Sequence, residues 1–252
     1  MVGGVRFEHT HRLIAATVGF LTIILAVWLW MEEPRRWVKK LGAFAALAVI
    51  LQGLLGGITV LYGLPQIVSV SHAVLAQTFL CICVCIAVVT HPRWTQSTQP
   101  ALAATAQPTA PKTIVAQDKT FFKVGCALTL LIYSQLILGA ILRHGGRRIF
   151  LNLHIGNAAL VTICVIGFYL WGRKWFAGSP QMQKWLAFSF LALCSQVLLG
   201  FLVYLPLVGR ALFLLGGDAR TFFVTVHVAF GALLLATVFS TTLWSYPRTK
   251  HE

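Results

Sequence analysis

The sequence predicts an all-α protein of seven membrane-crossing helices, arranged as two related bundles. Of its 252 residues, 58% are hydrophobic and only 10% are charged, and the mean hydropathy of +0.81 lies far outside the range of a water-soluble domain. The apolar residues gather in seven stretches, each near the ~20 residues that a helix needs to cross ~30 Å of hydrocarbon. These stretches are too long and too uniformly apolar to be the alternating strands of an outer-membrane barrel.

The elements follow in order. The first stretch, about 10–31, opens on Glu8-His9-Thr10-His11-Arg12 and runs to Leu29-Trp30; the second, about 41–62, follows four cations and carries Gln52 and Gly56. The third, about 67–90, contains His72 and then Cys81, Cys83 and Cys85. Residues 91–120, rich in Pro, Thr, Ala and Gln, read as a cytoplasmic linker without structure of its own. The fourth (about 121–142) carries Gln135 and Gly139, the fifth (about 150–172) His154, the sixth (about 183–205) Gln196 and Gly200, and the seventh (about 219–245) His227. Asp218 in Gly-Gly-Asp-Ala-Arg reads as the N-cap of the seventh.

This order is a pseudo-duplication. The first and fifth stretches both run from a histidine to Leu-Trp, and the second, fourth and sixth share Gln-x-x-x-Gly. The chain therefore divides into a three-helix half, 1–90, the linker, and a four-helix half, 121–252. The first half lacks a counterpart of the fourth stretch, and its amino terminus has to reach the histidine side, so a further helix ahead of residue 1 is expected. Gln and Gly at i, i+4 share one face, which suits close helix packing first and contact with a flat ligand second.

Thirteen of the twenty lysines and arginines, including all eight lysines, fall on the side of the first-to-second, third-to-fourth and fifth-to-sixth connections and the carboxy terminus. The positive-inside rule makes that side cytoplasmic. The protein is thus expected in a bacterial-type inner membrane with its carboxy terminus inside. The net charge of +14 is accounted for by this topology and by anionic lipid, with no nucleic-acid partner implied. The six cysteines lie within helices, none in an outer loop, and read as small packing residues without a disulfide.

His11, His72, His154 and His227 stand near the starts of the first, third, fifth and seventh stretches. Alternate crossings run the same way, so all four imidazoles gather at the outer face. One such histidine reads as a satisfied polar residue of a bundle, but four at equal depth point to function, because ionisable groups in lipid are costly. Imidazole is a good axial ligand of haem iron, and four suggest two porphyrin sites. Arg12, Arg143, Arg147 and Arg148, on the same side, are either surface charge or forks for porphyrin propionates. His9, His91, His144 and His251 read as solvated, with His144 nearest to a porphyrin. Glu8, three residues before His11 and on the same helical face, is a proton carrier, a stabiliser of developing positive charge, or a helix-start carboxylate favoured by the dipole.

The segments FEHTHRLIA (7–15), SVSHAVLAQ (69–77), NLHIGNAALV (152–161) and TVHVAFGALLL (225–235) resemble the haem A synthase family across nearly the whole chain. The resemblance implies eight helices in two four-helix bundles, of which the first helix is absent here. It also implies oxidation of the C8 methyl of haem O to a formyl group by successive hydroxylation, in haem A biosynthesis for terminal oxidases. It assigns His154 and His227 to a haem b cofactor, His11 and His72 to the haem O substrate, and an activity-essential role to Glu8. Haem O synthase and an unidentified electron donor or acceptor are the partners it suggests. Two other classes use the same ligands: a bis-histidine cytochrome that only passes electrons, and a haem carrier or assembly factor.

Overall fold

The structure is a computed structural model that describes residues 2–96, 112–204 and 217–246, and within these leaves out the side chains of 2–8, 95–96, 112–118, 217–218 and 220. The described residues are helical or in short connections. Seven of the helices are long and apolar enough to cross a membrane, and they fall where the seven stretches were expected. The chain divides into two compact units, Met1–Thr90 and His91–Glu252.

The first unit holds α1 (Val2–Glu32), α2 (Arg36–Leu61) and α3 (Gln66–Val89). α1 packs on α2 and α2 on α3, joined by turns short enough to make each neighbour antiparallel. The buried residues of α2 (Val38, Gly42, Ala45, Ala48) recur at helical spacing and are mostly small, so the backbones approach closely where no hydrophobic force separates helix from lipid. α1 is almost wholly exposed. At the end opposite the histidines, Arg35 binds both oxygens of Glu33, at 2.6 and 2.9 Å, and donates from Nη1 to the carbonyl of Val89 at 3.0 Å. Lys39 Nζ donates to Trp30 O at 2.7 Å, placing a cation at the carboxy-terminal end of α1, where the helix dipole favours one.

The second unit holds α4 (Pro92–Gln96), α5 (Lys112–Gly145), α6 (Arg148–Trp175), α7 (Pro180–Tyr204) and α8 (Gly217–Trp244). Here α6, α7 and α8 pack in sequence like α1, α2 and α3, and α5 packs on both α6 and α8, closing a ring. The seam of α6 (Val161, Val165, Phe168, Gly172) meets Leu186 of α7 and Phe121 of α5. Phe121, fully buried, stacks on Phe168 at 4.2 Å. Gly125 of α5 sits directly against Thr242 of α8. This core lies at the end opposite the histidines.

Three expectations are corrected. The segment 91–120 is not structureless: Pro92 opens a short helix, as proline does at a first helical position, and Trp94 is buried against Trp244 and Tyr246. α5 begins at Lys112, ahead of the expected start near 121; residues 97–111 lie outside the described part. Asp218, expected as an N-cap, falls inside α8, and its side chain is outside the described residues. His91 is exposed but not merely solvated, since its ring meets Trp244 edge-on at 5.4 Å and its Nδ1 accepts from the Arg93 N–H at 3.1 Å.

Candidate functional site

The Gln-x-x-x-Gly pairs explain how three of the histidines are seated. In each case the pair lies on the helix preceding the histidine helix, one turn exposing the glycine and the next the glutamine. A Cβ on Gly56 would lie 3.3 Å from Cε1 of His72, one on Gly139 3.2 Å from that of His154, and one on Gly200 3.3 Å from that of His227. Glycine lets the imidazole edge approach that closely, whereas a Cβ would require the ring to give by a few tenths of an ångström. The glutamine of each pair reaches the same ring: Gln52 Nε2 is 3.3 Å from Nε2 of His72, Gln135 Nε2 3.1 Å from Nδ1 of His154, and Gln196 Nε2 3.2 Å from Nε2 of His227. Of the two readings of the motif, close packing and ligand contact, the structure supplies a third: a polar cradle for a half-buried histidine.

Ring closure in the second unit then brings two cradled histidines together. His154 of α6 and His227 of α8 face each other with ring centres 6.4 Å apart and planes inclined at 71°. Two imidazoles sharing a metal bind it at about 2 Å each; with roughly 1 Å more from nitrogen to ring centre, the centres of such a pair lie about 6 Å apart. The observed spacing fits a haem iron held between them. The cradles bear on the same point, because Nδ1 of His227 and Oε1 of Gln196 are buried without a partner, a costly state that suits a site built for a ligand. Among the described residues no group of three or more metal-ligating side chains converges, so the pair suits a porphyrin, which brings four ligands of its own, better than a bare ion.

In the first unit the match is partial. His72 is half-buried in its cradle, whereas His11 is exposed on α1. The two interact electrostatically, but no ring pairing like that of His154 and His227 joins them among the described residues. Arg12, Arg143, Arg147 and Arg148 are exposed, the last three at the α5–α6 turn, near the end of the bundle that carries His154. His9 and His144 are exposed. The side chain of Glu8, and His251 altogether, lie outside the described residues. The cysteines are all free.

Sequence reasoning missed Asn157, whose Nδ2 donates to Gln135 Oε1 at 2.8 Å. The signal was present: Asn157 stands at i+3 from His154, a second polar residue on one face of a helix in lipid, where polar side chains are expensive.

Comparison with known proteins gives the family. The profile of the COX15-CtaA family, described as cytochrome oxidase assembly protein, matches residues 5–152. Curated relatives called heme A synthase are similar over shorter stretches. That of Halalkalibacterium halodurans is 38% identical over 73 residues, 29% of this chain and 22% of its own length. Those of Alkalihalophilus pseudofirmus and Shouchella clausii are each 36% identical, over 66 and 70 residues, in each case 26% of this chain and 22% of the relative. The matched stretch thus spans about a fifth of each relative. No solved structure matches the chain.

Proposed function

We propose that this chain, which belongs to the COX15-CtaA family of cytochrome oxidase assembly proteins, is a haem A synthase that oxidises the C8 methyl group of haem O to a formyl group by successive hydroxylation and loss of water. The observation that carries this reading is the facing pair His154 and His227, 6.4 Å between ring centres, in a chain whose relatives bear that name. His154 and His227 would hold a haem b between them. Bound haem b supplies one-electron redox chemistry.

The protein's own groups do the rest. His11 and His72 take haem O as substrate, with the Gly56 shelf and the Gln52 amide setting the ring of His72. Arg12, Arg143, Arg147 and Arg148 offer planar, two-pronged donors to propionates. Glu8, one helical turn before His11, holds or moves a proton at its carboxylate, or leaves a negative charge beside the methyl carbon as that carbon becomes electron-poor. The excess of cations at the opposite ends of the helices supports a topology with the histidines at the outer face of an inner membrane and the carboxy terminus in the cytoplasm. Haem O synthase would supply the substrate, and a separate electron donor or acceptor would be the redox partner.

Incubation of the purified protein with haem O and chromatographic analysis of the products tests the reading. Hydroxylated and formyl haem are expected. A reversible redox spectrum without product would identify an electron-passing cytochrome, and haem O released unchanged to an acceptor would identify a carrier. Glu8→Gln sharpens the test: it should keep the haem b spectrum yet accumulate no formyl haem. A mere helix-dipole role predicts nearly intact activity and a stability loss of about 0.3–1 kcal/mol.

A further inference from the structure

The three cradled histidines are held alike but not equally. Around His154 each amide group has a partner. Gln135 Nε2 donates to His154 O at 2.9 Å, and Gln135 Oε1 accepts from Asn157 Nδ2 at 2.8 Å. Asn157 Nδ2 also points at Leu131 O, 3.4 Å away, and Ser134 Oγ, 3.5 Å away. Backbone carbonyls only accept, so the contacts with Leu131 O and His154 O fix which end of each amide carries the nitrogen. The amide nitrogen of Gln135 therefore faces the His154 ring, 3.1 Å from Nδ1 and 3.3 Å from Nε2.

The other two cradles lack this lock. The residue three after His227 is Phe230, and three after His72 it is Leu75; neither can hold an amide. Accordingly Oε1 of Gln196 and of Gln52, and Nδ1 of His227 and of His72, are buried without partners. A fully satisfied polar network rigidifies its members, and a partly satisfied one leaves them free to rearrange.

We propose that Gln135 and Asn157 are a positioning pair that fixes the imidazole of His154, so that the two histidines of the facing site are unequal: His154 is the rigid one and His227 the compliant one. The proposal rests on the reading that both ligate haem b. Neither Gln135 nor Asn157 touches the reacting atoms. They act through the orientation of the imidazole: the Gln135 amide nitrogen, nearly equidistant from Nδ1 and Nε2 of His154, holds the ring in place, whereas the free N–H of a metal-bound histidine is a donor that needs an acceptor.

The test is electron paramagnetic resonance and redox titration of haem b in the purified full chain. Asn157→Leu, nearly isosteric, removes the donor to Gln135 Oε1 and leaves the amide held only through Nε2 on His154 O, as Gln52 is on His72 O. It should keep its haem, shift the low-spin g-values and broaden them. Gln135→Met, close in size and unable to donate to His154 O, should shift the g-values as Asn157→Leu does, while Gln196→Leu should move both readouts less than Asn157→Leu does. Should Asn157→Leu not accumulate in membranes, Gln135→Met, which adds no charge, decides by its g-values. Haem-replete variants of Gln135 and Asn157 with unchanged g-values and potential would overturn the positioning pair. His154→Ala separates this from the underlying reading: if it retains six-coordinate low-spin haem, the assignment of the ligand fails, whereas loss of that haem beside silent Gln135 and Asn157 variants sinks only the pair.

Discussion

The two units apply one sequence pattern to different helix numbers. In both, a helix bearing Gln-x-x-x-Gly seats the histidine of the next helix, as Gln52 and Gly56 do for His72 and Gln196 and Gly200 for His227. In the second unit four helices close a ring, and two seated histidines meet at 6.4 Å. In the first, three helices form a row, α1 stays almost wholly exposed, and His11 has no seat among the described residues. The difference teaches that seating a histidine is a two-helix matter settled by local spacing, whereas the meeting of His154 and His227 comes with the closing of α5 against α6 and α8.

The largest effect that could break this comparison is loss of the facing pair. On the proposed reading that each would supply one ligand to haem b, replacing His154 or His227 by Ala should abolish retained low-spin haem in reduced-minus-oxidised spectra. Replacing His11 or His72 should leave most of that signal and stop turnover. Equal loss of haem from all four variants would erase the distinction between the units.

A smaller effect should separate the packing of the ring from that of the row. A Cβ on Gly172 would lie 2.7 Å from Leu186 Cδ2 and 3.1 Å from Phe121 Cζ, and both of those side chains are fully buried. Gly172→Ala should therefore cost about 1–3 kcal/mol through overpacking, read as unfolding of the second unit in mixed micelles. Gly42→Ala in the first unit meets only the flexible tip of Leu29, at 3.0 Å, before the Ala26 backbone at 3.4 Å. It should cost less than Gly172→Ala, and the reverse order would show that the row is the tighter of the two.

The smallest effect concerns the turns at the far ends. Glu33 in the α1–α2 turn is held below the usual carboxylate range chiefly by its hydrogen bond from the Arg35 side chain. A depressed folded-state pKa contributes stability above the unfolded value near 4.5, and that stability is lost as pH falls through the lower folded value. For a partly exposed pair the contribution is about 0.2–1 kcal/mol. In the second unit the corresponding turn is held by neutral Gln183, which donates to Arg173 O at 3.1 Å and Phe176 O at 2.8 Å, and has no such dependence. Glu33→Gln should flatten the acid limb of the first unit's stability between about pH 5 and pH 3; an unchanged limb would remove the ion pair from the account.

Much of this was legible in the chain itself. Seven helices followed from length and apolarity alone, because in lipid every backbone polar group must be satisfied within its own segment, and only long apolar helices do so. The importance of the histidines was legible for the same reason: a polar group at that depth is expensive enough that four at equal depth imply a purpose. Spacing also placed Gln135 and Gly139 on one face, but not what that face met, since helical periodicity is a property of one helix. Likewise the linker reading of 91–120 rested on composition, which could not register the burial of Trp94 against Trp244. Which histidines meet, which cradle is locked by Asn157 and which glycine touches which ring depended on how α5 closes against both α6 and α8. Those contacts join residues 19 to 73 positions apart, and no local pattern encodes them: they are set by the summed packing of helices whose faces are individually almost uniform.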